Sequence, residues 1–151
     1  MISVLLLGSL TTVVNLAIQV MMILLIVRHL TARFDRSAGH EITGHGMRVL
    51  VIVLVGLFLG HLLQFATWAA LFLLLGEFAD FETAFYHSAV NFASLGYGDI
   101  VMSEKWRLLG ALEATNGVLM LGLSAGAVLS VMNSVLSRHK LIVGARERLS
   151  S

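Results

Sequence analysis

Apolar residues run almost unbroken from about Ile2 to Val27, from about Met47 to Gly76 and from about Trp106 to Leu136, with polar residues gathered between and after these stretches. A helix rises 1.5 Å per residue, so about 20 apolar residues cross the hydrocarbon core of a bilayer. Each stretch is long enough, and the pattern predicts three transmembrane helices. The first contains Asn15 and Gln19 but no charge. It reads as a span and not as a signal peptide, because it has no basic start and its apolar run far exceeds the roughly 7 to 15 residues of a signal's hydrophobic region. The second is long enough to span with tilt.

Between the second and third stretches, residues 80–100 read DFETAFYHSAVNFASLGYGDI. Asp80 or Thr83 can cap a helix start, and Thr83 to Phe92 is then a short helix, too short to cross. Ser94-Leu95-Gly96-Tyr97-Gly98-Asp99 follows. Non-helical backbone at membrane depth survives only where protein buries it or where it lines a water-filled cavity. Two glycines flanking one residue permit alternating dihedrals that turn successive carbonyls to one side, and a row of carbonyl oxygens can replace the water shell of a bare monovalent cation. Alone, Gly-Tyr-Gly-Asp is equally a plain turn; its position between a short helix and a span favours the ion-lining reading.

Composition narrows the picture. The 151 residues are 58% hydrophobic and 13% charged, where a soluble domain is about a quarter charged. An ordinary water-soluble globule is excluded, and no room remains for a separate catalytic domain, so the chain is not expected to be an enzyme. The absence of cysteine excludes disulfides and thiolate chemistry. With no proline, any helix kink must come from glycine or a polar insertion. A net charge of +1 marks no polyanion binder, and no nucleic-acid partner is expected.

The placement of charge says more than its sum. Arg28, Arg33, Arg36 and Arg48 lie between the first two spans, and Arg138, Lys140, Arg146 and Arg148 follow the third. Between the second and third spans stand Glu77, Asp80, Glu82, Asp99 and Glu104, with only Lys105 and Arg107 as basic residues. The positive-inside rule puts the amino terminus outside, the carboxyl terminus in the cytoplasm and the acidic segment outside, in a plasma or bacterial inner membrane. Residues 77–105 must then enter and leave by one face, as a re-entrant segment does. The expected fold is an all-α membrane protein with three transmembrane helices and a re-entrant helix between the second and third. Its parts are an additional N-terminal span (1–28), a basic cytoplasmic loop (29–47), a pore module (48–136) and a short basic tail (137–151).

A short helix, then Ser-Leu-Gly-Tyr-Gly-Asp, then an apolar helix beginning near Trp106, resembles the pore module of tetrameric potassium channels, whose filter is usually written Thr-Val-Gly-Tyr-Gly-Asp. The likeness runs from about Val49 to Leu136. The stretch GYGDIVMSEKWRLLGALEATNGVLM further resembles a group of small bacterial ion-channel proteins, in which a Trp-Arg-Leu-Leu-Gly stretch and a Leu-Glu-Ala run follow the filter. The resemblance implies that the Ser94 hydroxyl takes the innermost potassium site and that the carbonyls of Ser94, Leu95, Gly96 and Tyr97 form the ladder above it, with Gly98 and Asp99 finishing the outer mouth. It implies a homotetramer, potassium ions in the filter and no organic cofactor. It also implies that the carboxyl end of the short helix points toward the cavity, where partial negative charge favours a cation. Ser94 departs from Thr, Leu95 from Val, and Tyr86 and His87 stand where many relatives carry a Trp pair that braces the filter.

Other polar residues inside the spans are candidates for support or sensing. Glu113 and Asn116 lie in the third span, and Glu113 is expected behind the filter, holding Asn91 or Tyr97 or else protonated. Gly122, Gly126, Ser130 and Ser134 recur every fourth residue, as do Gly56 and Gly60, a spacing that lets helices approach closely. Leu119, Gly122, Gly126 and Ser130 are equally candidates for pore lining. His61, Gln64 and Trp68 share one face of the second span, and His61 and His87 are candidate pH-sensitive groups. Asn15 and Gln19, one turn apart, are expected to tie the first span to a neighbour. His29, His40, His45 and His139 read as solvated, and no span repeats Arg as a voltage sensor does. The tail is expected either to anchor topology or to lie on anionic lipid. A weakly selective cation channel and a nonconducting channel-like scaffold or accessory subunit are the alternatives.

Overall fold

The structure, a computed structural model, describes residues 1–34 and 42–150, with side chains at 1–30 and 46–137. The described residues form four helices and no strand: α1 (Ile2–Phe34), α2 (Ile42–Leu74), α3 (Phe81–Phe92) and α4 (Arg107–Ser150). Three are long and apolar enough to cross a membrane, over Ile2–Leu30, Gly46–Leu74 and Arg107–Ser137. With 12 residues, α3 spans only about 18 Å. This is the all-α arrangement of three spans and one short intervening helix that the apolar pattern predicts.

The helices run further than the apolar stretches. Of the expected loop 29–47, only residues 35–41 fall outside α1 and α2, and these lie outside the described residues, as do the side chains of Arg33, Arg36, His40 and His45. The expected tail is a continuation of α4 to Ser150. Hydropathy marks where a helix leaves lipid, not where its backbone hydrogen bonding stops, and the chain has no proline to stop it.

α1 and α4 run in the same direction, since Gly8 packs on Leu109 and Leu112 while Gln19, further along α1, reaches Ser124. α2 runs antiparallel to both and packs on each, with Gly56 against Ile26, Gly60 against Met22 and His61 at Ser124. The second-span pair of glycines thus serves close helix approach, as its spacing suggests. Without a hydrophobic drive between helices in lipid, such close contact and interhelical hydrogen bonds hold the spans together.

Two apolar clusters form the protomer core. One is centred on Ile26, Leu30, Val49, Val53 and Leu57. The other joins Val4, Trp68, Phe72, Phe92, Leu109 and Met120 and seats α3. Its rings meet edge to face, Phe65 with Phe92 at 5.0 Å and Phe72 with His87 at 5.6 Å. The end of α3 lies so close to α4 that a Cβ at Gly117 would run into the Phe92 backbone.

Candidate functional site

Of the two capping candidates, Asp80 is the N-cap of α3. Its carboxylate accepts from the Thr83 backbone N–H at 2.8 Å and from the Thr83 hydroxyl at 2.9 Å, so the helix starts at Phe81, two residues before the expected Thr83. The bond from the Thr83 amide holds the Asp80 carboxyl below the usual carboxylate range. At the other end the chain turns out of the helix: the Ser94 N–H donates to the Asn91 carbonyl at 2.8 Å and the Leu95 N–H to the Val90 carbonyl at 2.9 Å.

From that turn the backbone alternates. Ser94, Gly96 and Gly98 have φ of +57°, +57° and +73°, while Leu95 and Tyr97 between them are not left-handed. Both glycines take the left-handed backbone that glycine permits. Ser94 extends the alternation by one residue without a glycine's freedom, a conformation costing about 1–3 kcal/mol. The segment is unpacked within the protomer: Leu95 is 53% and Tyr97 65% exposed, and a Cβ built at Gly96 or Gly98 meets nothing within 4 Å.

Side chains from α3 brace the extended segment that follows. The Tyr86 hydroxyl donates to Asp99 Oδ2 at 2.6 Å. This bond holds the Asp99 carboxyl below its ordinary range and pushes the Tyr86 phenol up, because the proton stays on the phenol while the carboxylate accepts it. One residue on, His87 Nδ1 meets the Ile100 carbonyl at 3.1 Å and His87 Nε2 meets the Asn91 side-chain nitrogen at 2.8 Å. A carbonyl only accepts and an amide nitrogen only donates, so His87 is the neutral Nδ1–H tautomer. Tyr86 and His87 therefore hold the chain at Asp99 and Ile100, and Asn91 fixes the His87 ring.

Two further side-chain links, of Glu77 with Ser103 and of Ser88 with Glu113, were not legible in the residue pattern. Glu77 clamps Ser103, accepting its backbone N–H at 2.8 Å and its hydroxyl at 2.6 Å. The Ser103 carbonyl in turn accepts from the N–H groups of Trp106 and Arg107 where α4 begins. Ser88, a buried hydroxyl on α3, donates to Glu113 Oε1 at 2.5 Å. Glu113 is fully buried with the Asn91 amide beside it, whereas Tyr97 is exposed. Of the expected partners, Asn91 lies beside Glu113 and Tyr97 does not, and the bond from Ser88 is an addition whose signal was only a serine four residues before the end of a short helix.

On α4, Leu109, Glu113, Asn116, Met120 and Ser124 face the protomer's own helices. Leu119, Gly122, Gly126 and Ser130 face away; no atom lies within 4 Å of a Cβ at Gly122 or Gly126, and Ser130 opens a groove shared with Asn133, Ser134 and Ser137. Among the described residues, nothing packs on Gly122 or Gly126. His61, Gln64 and Trp68 are all buried, as are Asn15 and Gln19, and His29 is exposed. The side chains of His139 and of the basic residues after Ser137 lie outside the described residues.

Comparison with curated proteins and with solved structures returns no match. A protein family described as "Ion channel" matches residues 49–134, more than half of the chain and the segment that holds α2 from Val49, α3, the alternating strand and α4 to Ser134. The three apolar helices and this match together make the chain a membrane protein of the Ion_trans_2 ion-channel family.

Proposed function

We propose that the protein is a homotetrameric potassium channel. The observation that carries this reading is the alternation of left-handed and ordinary backbone at Ser94, Gly96 and Gly98, braced from α3 at Asp99 and Ile100. Four copies of the strand around one axis form rings from the carbonyls of Ser94, Leu95, Gly96 and Tyr97, with the Ser94 hydroxyl innermost and Gly98 opening the outer mouth. Each ring substitutes for the water that a potassium ion sheds, and ions in neighbouring rings displace one another outward. Glu113 supports the filter from behind through Ser88. The four carboxyl ends of α3 add partial negative charge below it, and the acidic residues near the mouth raise local cation concentration.

Leu119, Gly122, Gly126 and Ser130 line the passage beneath the filter, since no helix of their own protomer covers them. The basic segments are cytoplasmic, the amino terminus is outside, and the membrane is a plasma or bacterial inner membrane, with anionic lipid as a partner of the basic end of α4. The test is flux through purified protein in liposomes under a potassium gradient, repeated with sodium and with external barium. Barium-sensitive potassium flux far above sodium supports the reading. Equal flux of both ions replaces it with a weakly selective cation channel, and no flux with a nonconducting scaffold.

A further inference from the structure

A second polar cluster lies away from the filter. Gln19 of α1, His61 and Gln64 of α2 and Ser124 of α4 are all buried, and their side chains close a ring. Gln19 Nε2 donates to Ser124 Oγ at 2.8 Å and Gln64 Nε2 to Gln19 Oε1 at 2.9 Å, while Ser124 Oγ meets His61 Nε2 at 3.0 Å and His61 Nδ1 meets Gln64 Oε1 at 3.3 Å. An amide oxygen accepts and an amide nitrogen donates, which assigns every proton. Gln64 Oε1 must receive its proton from His61 Nδ1. His61 Nε2 is then bare and receives the Ser124 hydroxyl proton, and the Ser124 oxygen is free to accept from Gln19. All four bonds run the same way round, and the Gln64 amide also reaches the Asn15 carbonyl at 3.2 Å.

This order has one protonation state. An imidazolium donates from both nitrogens, so a proton on His61 Nε2 takes away the acceptor of the Ser124 hydroxyl proton. That proton must turn out of the ring, the Ser124–His61 bond reverses, and the one-way order is broken at the α2–α4 interface while an unpaired positive charge is left among neutral groups. Nothing nearby compensates. Facing this level, α1 offers only the neutral Asn15 and Gln19, and α3 offers the Phe92 ring at 5.8 Å. Two titratable groups of the packed helices are engaged elsewhere: Glu113 of α4 with Ser88, and His87 of α3 with Ile100 and Asn91.

α1 up to Phe34 lies outside the matched channel segment 49–134, yet Gln19 reaches the inner helix α4 directly. We propose that the ring is a latch by which α1 holds α4 in place, closed while His61 is neutral and released when it is protonated. Gln19 is its positioning residue: it touches no ion, and it acts through Ser124. The consequence for conduction rests on the channel reading above; the ring itself does not.

Two measurements on the full chain in liposomes test the latch. In nitrogen-15 spectra of the imidazole at about pH 7.5, His61 shows a protonated Nδ1 and a bare, hydrogen-bonded Nε2, and Gln19→Leu shifts the Nε2 signal. The opposite tautomer, or a His61 signal indifferent to Gln19→Leu, overturns the ring. In potassium flux, the wild type changes on the order of fivefold between about pH 7.5 and about pH 5. Gln19→Leu already shows the wild type's acid flux at the higher pH and responds no further, and His61→Gln, which takes up no proton in this range, does not respond. A flat wild-type profile, or either variant keeping the full response, overturns the latch. Absence of any wild-type flux sinks the channel reading and the latch's effect on conduction, while the nitrogen spectra still decide the ring.

Discussion

Ser94 carries a side chain through a left-handed turn, φ +57°, and Gly96 and Gly98 repeat the turn at every second residue. At Gly96 and Gly98 an added methyl meets no neighbouring atom in the protomer, so alanine there is opposed by the backbone alone, at roughly 1–2 kcal/mol per left-handed residue. Gly96→Ala and Gly98→Ala are therefore expected to leave the helices intact and to abolish discrimination of potassium from sodium. Reversal potentials in mixed salt check this, and retained selectivity in either variant sinks the filter assignment. At the outer end the Tyr86 hydroxyl bonds the Asp99 carboxylate and holds that carboxyl below its ordinary range. An acid with a depressed folded pKa contributes stability above its unfolded value, about 3.9 for Asp, and loses it as pH falls through the folded value. The brace is thus intact at neutral and mildly acid pH and is lost only in stronger acid. In Tyr86→Phe the Asp99 carboxyl is expected to titrate at a higher pH than in the wild type, read by carbon-13 NMR. An unchanged or lower titration point argues against the brace.

Among the elements, α4 shows why small residues that look alike differ in role. Gly117 and Gly122 sit on one helix five residues apart, yet a Cβ at Gly117 meets the Phe92 backbone whereas one at Gly122 meets open space. Backbone cannot yield as a flexible side chain does. Gly117→Ala is expected to destabilise the protomer by about 1–3 kcal/mol, and Gly122→Ala to be neutral or to gain up to about 1 kcal/mol from helix propensity. Denaturant unfolding in detergent, followed through Trp68 and Trp106, separates the two; equal stability of both variants removes the close α3–α4 contact. Spacing alone showed the four-residue stripe of Gly122 and Gly126 but passed over Gly117, because nothing in an amino-acid pattern says which glycine faces a helix end. α3 was legible almost to the residue, since its cap, its length and the turn residues that stop it are all local. The partners of Gln19 were not, because Ser124 lies 105 residues away and only the packing of parallel α1 and α4 brings them together. Ser88 and Glu77 were missed for the same reason: each bonds across the fold to a segment that the local pattern does not connect to it.

At the scale of the whole molecule, the chain is braced at Asp99 and Ile100 but has nothing packed on the left-handed Gly96 and Gly98 before them. Residues in left-handed conformations persist only where surroundings over-determine them, yet Leu95 and Tyr97 are largely exposed and the α4 face from Leu119 to Ser130 meets none of its own helices. In the proposed tetramer both features are covered together: the filter strands face one another across the axis and the bare α4 faces surround the passage. Ions held by carbonyls from four chains then belong to the assembly alone. A ligand that binds only the assembled state stabilises it by RT ln(1 + [L]/Kd), about 2.7 kcal/mol at a hundredfold excess over Kd. Tetramer dissociation, followed by the mass of the detergent-solubilised species on heating, is expected at a higher temperature in potassium than in sodium at equal ionic strength. Gly96→Ala, which disturbs the carbonyl row without touching the helix contacts, is expected to erase that difference while still assembling. A tetramer equally stable in both salts would show that the four strands do not jointly hold potassium, and the exposed strand would then need another partner to account for its backbone.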